Sequence, residues 1–261
     1  MSAKTPKAPS RINPLGLWQS VRLFTLNDEA AKKLTGAQLA TIFSGMAPFD
    51  AKKDPKAGFA NIDSRGKTVI ADFTAAFNVV AHDYDAAGER SDNKYTTIER
   101  GNITVRLDDK IAEIRGTGRL AMRFRRVLIN LTDIMAEPLF IDKEARRAIY
   151  DKLIKPTEAP PKPLEINVSH IAYVDVEKKE LKQAEFRGDK LQHKAEVGHY
   201  GRMYGGTISR FSGIFIYPSN TPYKTTVNYE NSSIMVFKTS DGILEKDFRW
   251  IIKMLLDNAS L

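Results

Sequence analysis

Cysteine is absent from all 261 residues, and that absence removes disulfides, thiolate catalysis, iron–sulfur clusters and cysteine zinc sites. Histidine is scarce. His82, His170, His193 and His199 form no helical i, i+4 pair and have no neighbouring carboxylate in a metal-binding spacing, so no metal is expected. No apolar run is long enough for a membrane span or a signal peptide, so an intracellular setting (cytoplasmic, nuclear or nucleoid) and no membrane partner are expected. G-x-x-x-x-G-K-[ST] does not occur, which excludes a nucleotide P-loop on pattern.

Two partial motifs fail on context. Gly116-Thr-Gly118-Arg-Leu-Ala121 fits G-x-G-x-x-A, but the strand expected before it, Ile111 to Arg115, alternates charged and apolar residues and belongs to a hairpin. A dinucleotide-binding first strand is buried on both faces, so a plain strand-to-helix turn is expected instead, and no cofactor. Asp83-Tyr-Asp85-Ala-Ala-Gly88 opens like a calcium loop, yet Ala87 and Lys94 stand at positions five and twelve, where oxygen ligands are required. Glu177-Lys-Lys179, with Asp175 before it, has the acidic-x-lysine spacing of metal-dependent nucleases, a spacing that arises by chance in most basic proteins.

What is present is positive charge. Lys and Arg number 40 against 32 Asp and Glu, leaving a formal charge of +8. The partner class this favours is a polyanion, nucleic acid first, DNA ahead of RNA, with a protein partner or self-association as the alternative. Arg115, Arg119, Arg123, Arg125 and Arg126 crowd one helix and its approach, and Arg146, Arg147, Lys152 and Lys155 mark the next. Guanidinium groups suit phosphate contacts, although solvated helix faces are the usual fate of such runs. The stretch Gly198 to Tyr217, GHYGRMYGGTISRFSGIFIY, interleaves glycines with Tyr200, Tyr204, Arg202 and Arg210. As a glycine-rich turn before a strand it would let a sugar-phosphate backbone approach and bases stack. His199 and Tyr200 are its candidate acid–base pair, should the protein cleave RNA.

Periodicity organises the chain as α+β. Met1 to Pro14 is expected as a disordered basic arm. A lobe over 15–155 follows, then a Pro-rich linker at 156–163 and a second lobe over 164–261. Thr35-Gly-Ala-Gln38 has the form of a capping box opening a short helix. Thr68 to Ala81 predicts strand, with His82 to Lys94 as a polar break, and Tyr95 to Leu107 with Lys110 to Arg115 predicts a hairpin turning at Asp108-Asp109. Helices are predicted over Arg119 to Leu131, Lys143 to Ile154 behind an Asp142 cap, and Leu244 to Leu256. Strands are predicted over Leu164 to Val176, Glu180 to Phe186, Thr207 to Tyr217, Tyr223 to Tyr229 and Ser233 to Lys238.

Leu120, Phe124, Val127, Leu128 and Leu131 share their spacings with Leu244, Phe248, Ile251, Ile252 and Leu255. Each set follows a glycine turn and, further back, a similar strand, Ile103 to Leu107 and Ile234 to Lys238. Two antiparallel-sheet-plus-helix lobes from a diverged internal duplication are therefore expected, with extra N-terminal and central helices. The rhythm of Gly101 through Gly118, echoed more briefly from Thr226 to Gly242, resembles the TATA-binding protein fold. That resemblance implies a curved sheet backed by a helix in each half and non-enzymatic binding of nucleic acid. The phosphate contacts would come from Arg115, Arg119, Arg123, Arg126, Arg202 and Arg210. That family's paired wedging phenylalanines cannot be placed here; only Phe237 lies on a comparable strand. Two other classes compete: a structural or assembly protein, viral in one version, with a basic surface, and a metal-independent RNA-processing endonuclease using His199 and Tyr200.

Overall fold

The computed structural model describes residues 10–14, 16–155, 164–176 and 182–259. The chain is α+β, built on antiparallel strands, as expected. It divides into two compact units, Val21–Pro138 and Leu139–Leu261 together with Met1–Ser20. In chain order it begins with β1 (Arg11–Ile12) and β2 (Trp18–Leu26), whose residues from Val21 onward belong to the first unit. That unit continues with α1 (Asp28–Lys32), α2 (Gly36–Gly45), β3 (Ala57–Arg65), β4 (Thr68–Tyr84), β5 (Arg90–Arg106), β6 (Ile111–Arg115), α3 (Gly118–Thr132) and β7 (Ala136–Pro138). Its strands lie in the order β3-β4-β5-β6-β2, with β7 also on β2.

Alternation along β4 sets which face is covered. Val69, Ala71, Phe73 and Ala75 are buried on one side, where α2 supplies Leu39 and Phe43 and α3 supplies Leu120, Phe124, Val127 and Leu128. Phe43 stacks on Phe59 at 4.2 Å, and Phe124 meets Phe73 edge-on at 5.6 Å. The Thr35–Gln38 capping box is formed as read, and Thr117 caps α3 by accepting from Leu120 N at 3.2 Å. The strands do not break at His82: β4 and β5 pair without interruption to Tyr84 and Arg90. The polar run predicted as a break is the far end of a long hairpin. Polarity marks loss of burial there, not loss of strand, because both faces of that end meet solvent.

The second unit holds α4 (Lys143–Ile154), β8 (Asn167–Val174), β9 (Ala184–Arg187), a 3₁₀ turn at Leu191–His193, α5 (Ala195–Arg202), β10 (Thr207–Ile216), β11 (Pro222–Asn228), β12 (Ser233–Phe237), β13 (Ile243–Leu244) and α6 (Glu245–Leu256). Its sheet order is β9-β8-β10-β11-β12, and β1 pairs with β13. Phe211 and Phe215 of β10 are buried, with the Tyr150 ring of α4 edge-on to Phe211 at 5.3 Å. On α6, Phe248, Ile251, Ile252 and Leu255 are buried, and Trp250 meets Tyr217 at 5.4 Å.

Three expectations change. The boundary lies at Pro138/Leu139, because α4 packs on β10 and Ser232 Oγ donates to Leu139 O at 2.6 Å; the 156–163 stretch lies outside the described residues. Arg11 and Ile12 are paired strand residues, so the expected disordered arm does not include them, while residues 1–9 lie outside the described set. Gly198 to Arg202 is helix, and the turn begins only at Met203. Two glycines suggested a turn, but Val197 anchors a helical segment through burial. The Glu177-Lys-Lys179 turn falls outside the described residues.

Candidate functional site

A concentration of positive groups around a concavity lies between α4 and α5, within the second unit. Asp142 caps α4, its Oδ1 accepting from Ala145 N at 2.8 Å, and so fixes the helical phase. Lys143 and Arg147, four residues apart, then share a flank. Lys143 Nζ donates to Gly205 O at 2.6 Å and ties down the turn after α5. Arg147 Nε lies 3.3 Å from Asp151 Oδ2. Arg146, one residue off, points elsewhere. It donates to Ile141 O at 2.7 Å and lies over the Tyr229 ring at 5.3 Å, a structural placement in which burial lowers the guanidinium pKa.

The glycines of α5 explain the geometry. A Cβ at Gly201 would stand 2.8 Å from Arg147 Nη1, and one at Gly198 would stand 2.6 Å from Arg202 Nη2. Each guanidinium occupies the space a side chain would fill, so the glycine spacing makes two arginine seats. Around them open a cleft of about 370 Å³, lined by Lys143, Glu144, Arg147, Gly201, Arg202 and Ile208, and a pocket of about 160 Å³ that includes Arg147, Tyr150, Tyr173, His193, Lys194 and Arg202. Burial raises the Tyr150 and Tyr173 phenols above the ordinary tyrosine value; at Tyr173, Arg147 and Arg202 oppose that shift without reversing it. Both therefore remain neutral hydroxyls near pH 7. Lys143, Arg147, Lys194 and Arg202 outnumber Glu144 and Asp151, and guanidinium forks with phenol donors suit a phosphate-type oxyanion.

Beside the arginines runs a row of rings. Tyr173 meets Phe186 at 6.4 Å, Phe186 meets Tyr200 at 4.9 Å and Tyr200 meets Tyr204 at 5.4 Å. The row passes from buried Tyr173 to half-buried Tyr200 and Tyr204. Arg202, singled out in the sequence, is thus brought together with Arg147, whereas Tyr200 and Tyr204 line neither cavity and connect to it through Phe186 and Tyr173.

The other predicted contacts are placed differently. Arg115 Nε donates at 2.9 Å to Glu113, a buried carboxylate that Arg106 also approaches at 3.6 Å. Arg119 is paired with Glu99 and lies over the Phe77 ring at 5.0 Å. Arg123 donates to Pro55 O at 2.9 Å and covers the same ring at 5.6 Å. Arg126 is exposed on α3. Arg210 faces the opposite side of its sheet from Phe211, with Nη2 3.6 Å from Glu185 and a buried Nε that has no hydrogen-bond partner among the described residues. His170 and Arg187 share that carboxylate, at 2.8 Å each. Phe237 is in contact with Trp18 at 5.3 Å and lies under Lys224 at 5.0 Å.

The His199 ring is exposed and has no hydrogen-bond partner among the described residues, so no second group there orients it as an acid or base. Lys143, Lys194 and Tyr173 were not legible as site residues: Tyr173 reads as a strand core position and the lysines as ordinary surface. The available signal was the Gly198-x-x-Gly201 spacing, once placed on a helix. Among the described residues, no group of three or more His, Asp or Glu side chains could hold a metal ion, and no helix is long and apolar enough to cross a membrane. Compared with known proteins, the chain matches no family model and no curated protein.

Proposed function

We propose that this protein binds nucleic acid without cleaving it, DNA in preference to RNA, holding phosphates in the α4–α5 cleft while unstacked bases rest against Tyr200 and Tyr204. The observation that carries this reading is the pair of guanidiniums, Arg147 and Arg202, seated over Gly201 and Gly198 beside the ring row. Positive side chains tracking a backbone next to aromatic faces are what single-strand binding requires. The duplicated-module reading draws support from the order of elements within each unit. A meander of β3 to β6 precedes α3 in one, and a meander of β10 to β12 precedes α6 in the other.

The test is fluorescence anisotropy with labelled poly-dT, poly-rU and a duplex across a salt series, with each sample run afterwards on a gel. With Arg147, Arg202 and Lys194 each displacing a counterion, log affinity for the single strand should fall against log salt with a slope of about −2. Arg147→Gln with Arg202→Gln should remove most of that slope. Unchanged binding in this double variant, or loss of binding instead on removing Arg115, Arg119 and Arg123, would overturn the cleft assignment. Cleaved RNA would favour the nuclease reading, and absence of binding at low salt the assembly reading.

A further inference from the structure

The β4–β5 hairpin is much longer than the rest of its unit requires. Its ladder runs from Thr68↔Arg106 to Tyr84↔Arg90 with no register shift. On one side β3 accompanies β4 only as far as Ala75, and on the other β6 accompanies β5 only from Asn102. Cover from α3 ends at Phe77, over which Arg119 and Arg123 lie. The outer seven pairs, Asn78↔Thr96 to Tyr84↔Arg90, are strand with only each other for neighbours, a ribbon of about 24 Å at about 3.4 Å per residue.

That ribbon is not a solvated decoration. Along it and at its base, Tyr84 is 67% exposed, Tyr95 54%, Ile98 51% and Val80 45%. Val80 and Tyr84 share one face and Tyr95, opposite Val79, occupies the other, so both faces offer apolar surface. Two-stranded ribbons are marginal by themselves, and this one is fixed by local bonds. Asp85 Oδ1 accepts from Ala87 N at 2.9 Å and Glu89 N at 2.8 Å at the turn, and Asp92 joins His82 and Arg90. Its charge is opposite to that of the chain. Between Val79 and Tyr95 stand Asp83, Asp85, Glu89 and Asp92 against Arg90 and Lys94, a balance of −2 within a chain of +8, leaving +10 for the remainder. Neither Asp83 nor Glu89 has a cationic partner among the described residues.

We infer that this arm is a self-association device, docking its acidic, apolar ribbon on the basic surface of a second copy of the same chain. The sign of its charge argues against phosphate as its target. The basic remainder of the chain has the matching sign, and the unpaired ribbon edges can also accept a strand. This inference does not depend on the α4–α5 cleft, which lies in the other unit.

Sedimentation velocity of the full chain over a concentration series, at low and high salt, tests it. The expected result is reversible association that weakens as salt rises. Asp83→Asn with Glu89→Lys takes the arm from −2 to +1 while keeping a side chain able to bond Asn93, and should weaken association about tenfold. Tyr84→Ser with Tyr95→Ser, which leaves the charge untouched, should weaken it independently. Thermal unfolding of both variants checks that the fold is intact. A wild-type chain that stays monomeric at the highest concentration in low salt overturns the inference, as does association that neither double variant alters. Protection of Tyr84 and Tyr95 from radical oxidation only when an oligonucleotide or anionic vesicles are added would overturn it too, by naming a different occupant.

Discussion

Gly198→Ala separates stability from binding with opposite signs. Gly198 lies inside α5 and its backbone suits any L-residue, so alanine should improve the helix by up to about 1 kcal/mol. The new Cβ would stand 2.6 Å from Arg202 Nη2 and 3.2 Å from its Cζ, too close for both to remain. What yields is the end of a flexible, exposed side chain, which swings into solvent at little cost. The fold then loses nothing, but the guanidinium leaves its seat. Forfeiting one charge-assisted phosphate contact of about 1.5 kcal/mol weakens nucleic-acid binding about tenfold, and the salt slope loses about 0.7. Urea unfolding and oligonucleotide anisotropy on the same preparation measure both. Gly201→Ala is the informative contrast, because its Cβ meets the packed Tyr173 ring at 3.2 Å as well as Arg147 Nη1, so it should lower stability as well as affinity. Wild-type affinity and slope in Gly198→Ala would refute the seating argument. A stability loss above about 1 kcal/mol would show that the glycine serves the backbone instead.

Four further outcomes are expected. Glu113→Ala strands Arg106 and Arg115 without their buried carboxylate and should destabilise by about 2–3 kcal/mol in urea unfolding, whereas Arg126→Ala should cost less than about 0.5 kcal/mol. Phe124→Ala opens the ring cluster of Phe43, Phe59 and Phe73 and should cost about 3–5 kcal/mol. At His170 burial, together with the charges of Arg210 and Arg187, lowers the imidazole pKa more than the Glu185 bond and charge raise it, so the unfolded chain binds the proton more readily than the folded one. Its contribution to stability is full above its unfolded value of about 6.5 and is lost as pH falls through that value toward the lower folded one. The melting temperature of the wild type should therefore fall more steeply between about pH 7 and 5 than that of His170→Gln; parallel profiles would refute the assignment.

Local chemistry made much of the fold legible. Asp142 and Thr35 carry side-chain oxygens three residues ahead of the amides they satisfy, and both caps form where the sequence places them. The apolar stripes of α3 and α6, except at exposed Leu131, mark their buried faces because a helix on a sheet needs that spacing whatever its function. Two things were not legible. The hairpin end from His82 to Lys94 lacks the apolar alternation that announces a strand, since neither of its faces is covered, and only cross-strand pairing holds it extended. Glycine in α5 read as turn chemistry because its usual reason is backbone freedom; here the reason is the volume of two guanidiniums, Arg202 from four residues along the same helix and Arg147 from α4. The Arg147 half of that cause is tertiary, and the sequence around Gly201 does not show which side chain fills the space.

The same distinction governs how a basic sequence should be interpreted. The arginine run around α3 is the denser cluster in the sequence, yet its members at Arg115, Arg119 and Arg123 are committed to Glu113, Glu99, Pro55 O and the Phe77 ring. An arginine already bonded must give up that partner to meet a phosphate, and for Arg115 the exchange would leave a buried carboxylate short of a donor. Among the described residues Arg202 has no such partner to give up. Its seat over Gly198 orients the guanidinium, and among the described residues the ion partner of Arg147 is a half-exposed Asp151 at 3.3 Å. Free energy for binding comes from cations that are held but not spent, which favours the sparser α4–α5 set over the denser α3 set as the place where the proposed nucleic-acid binding would meet phosphate.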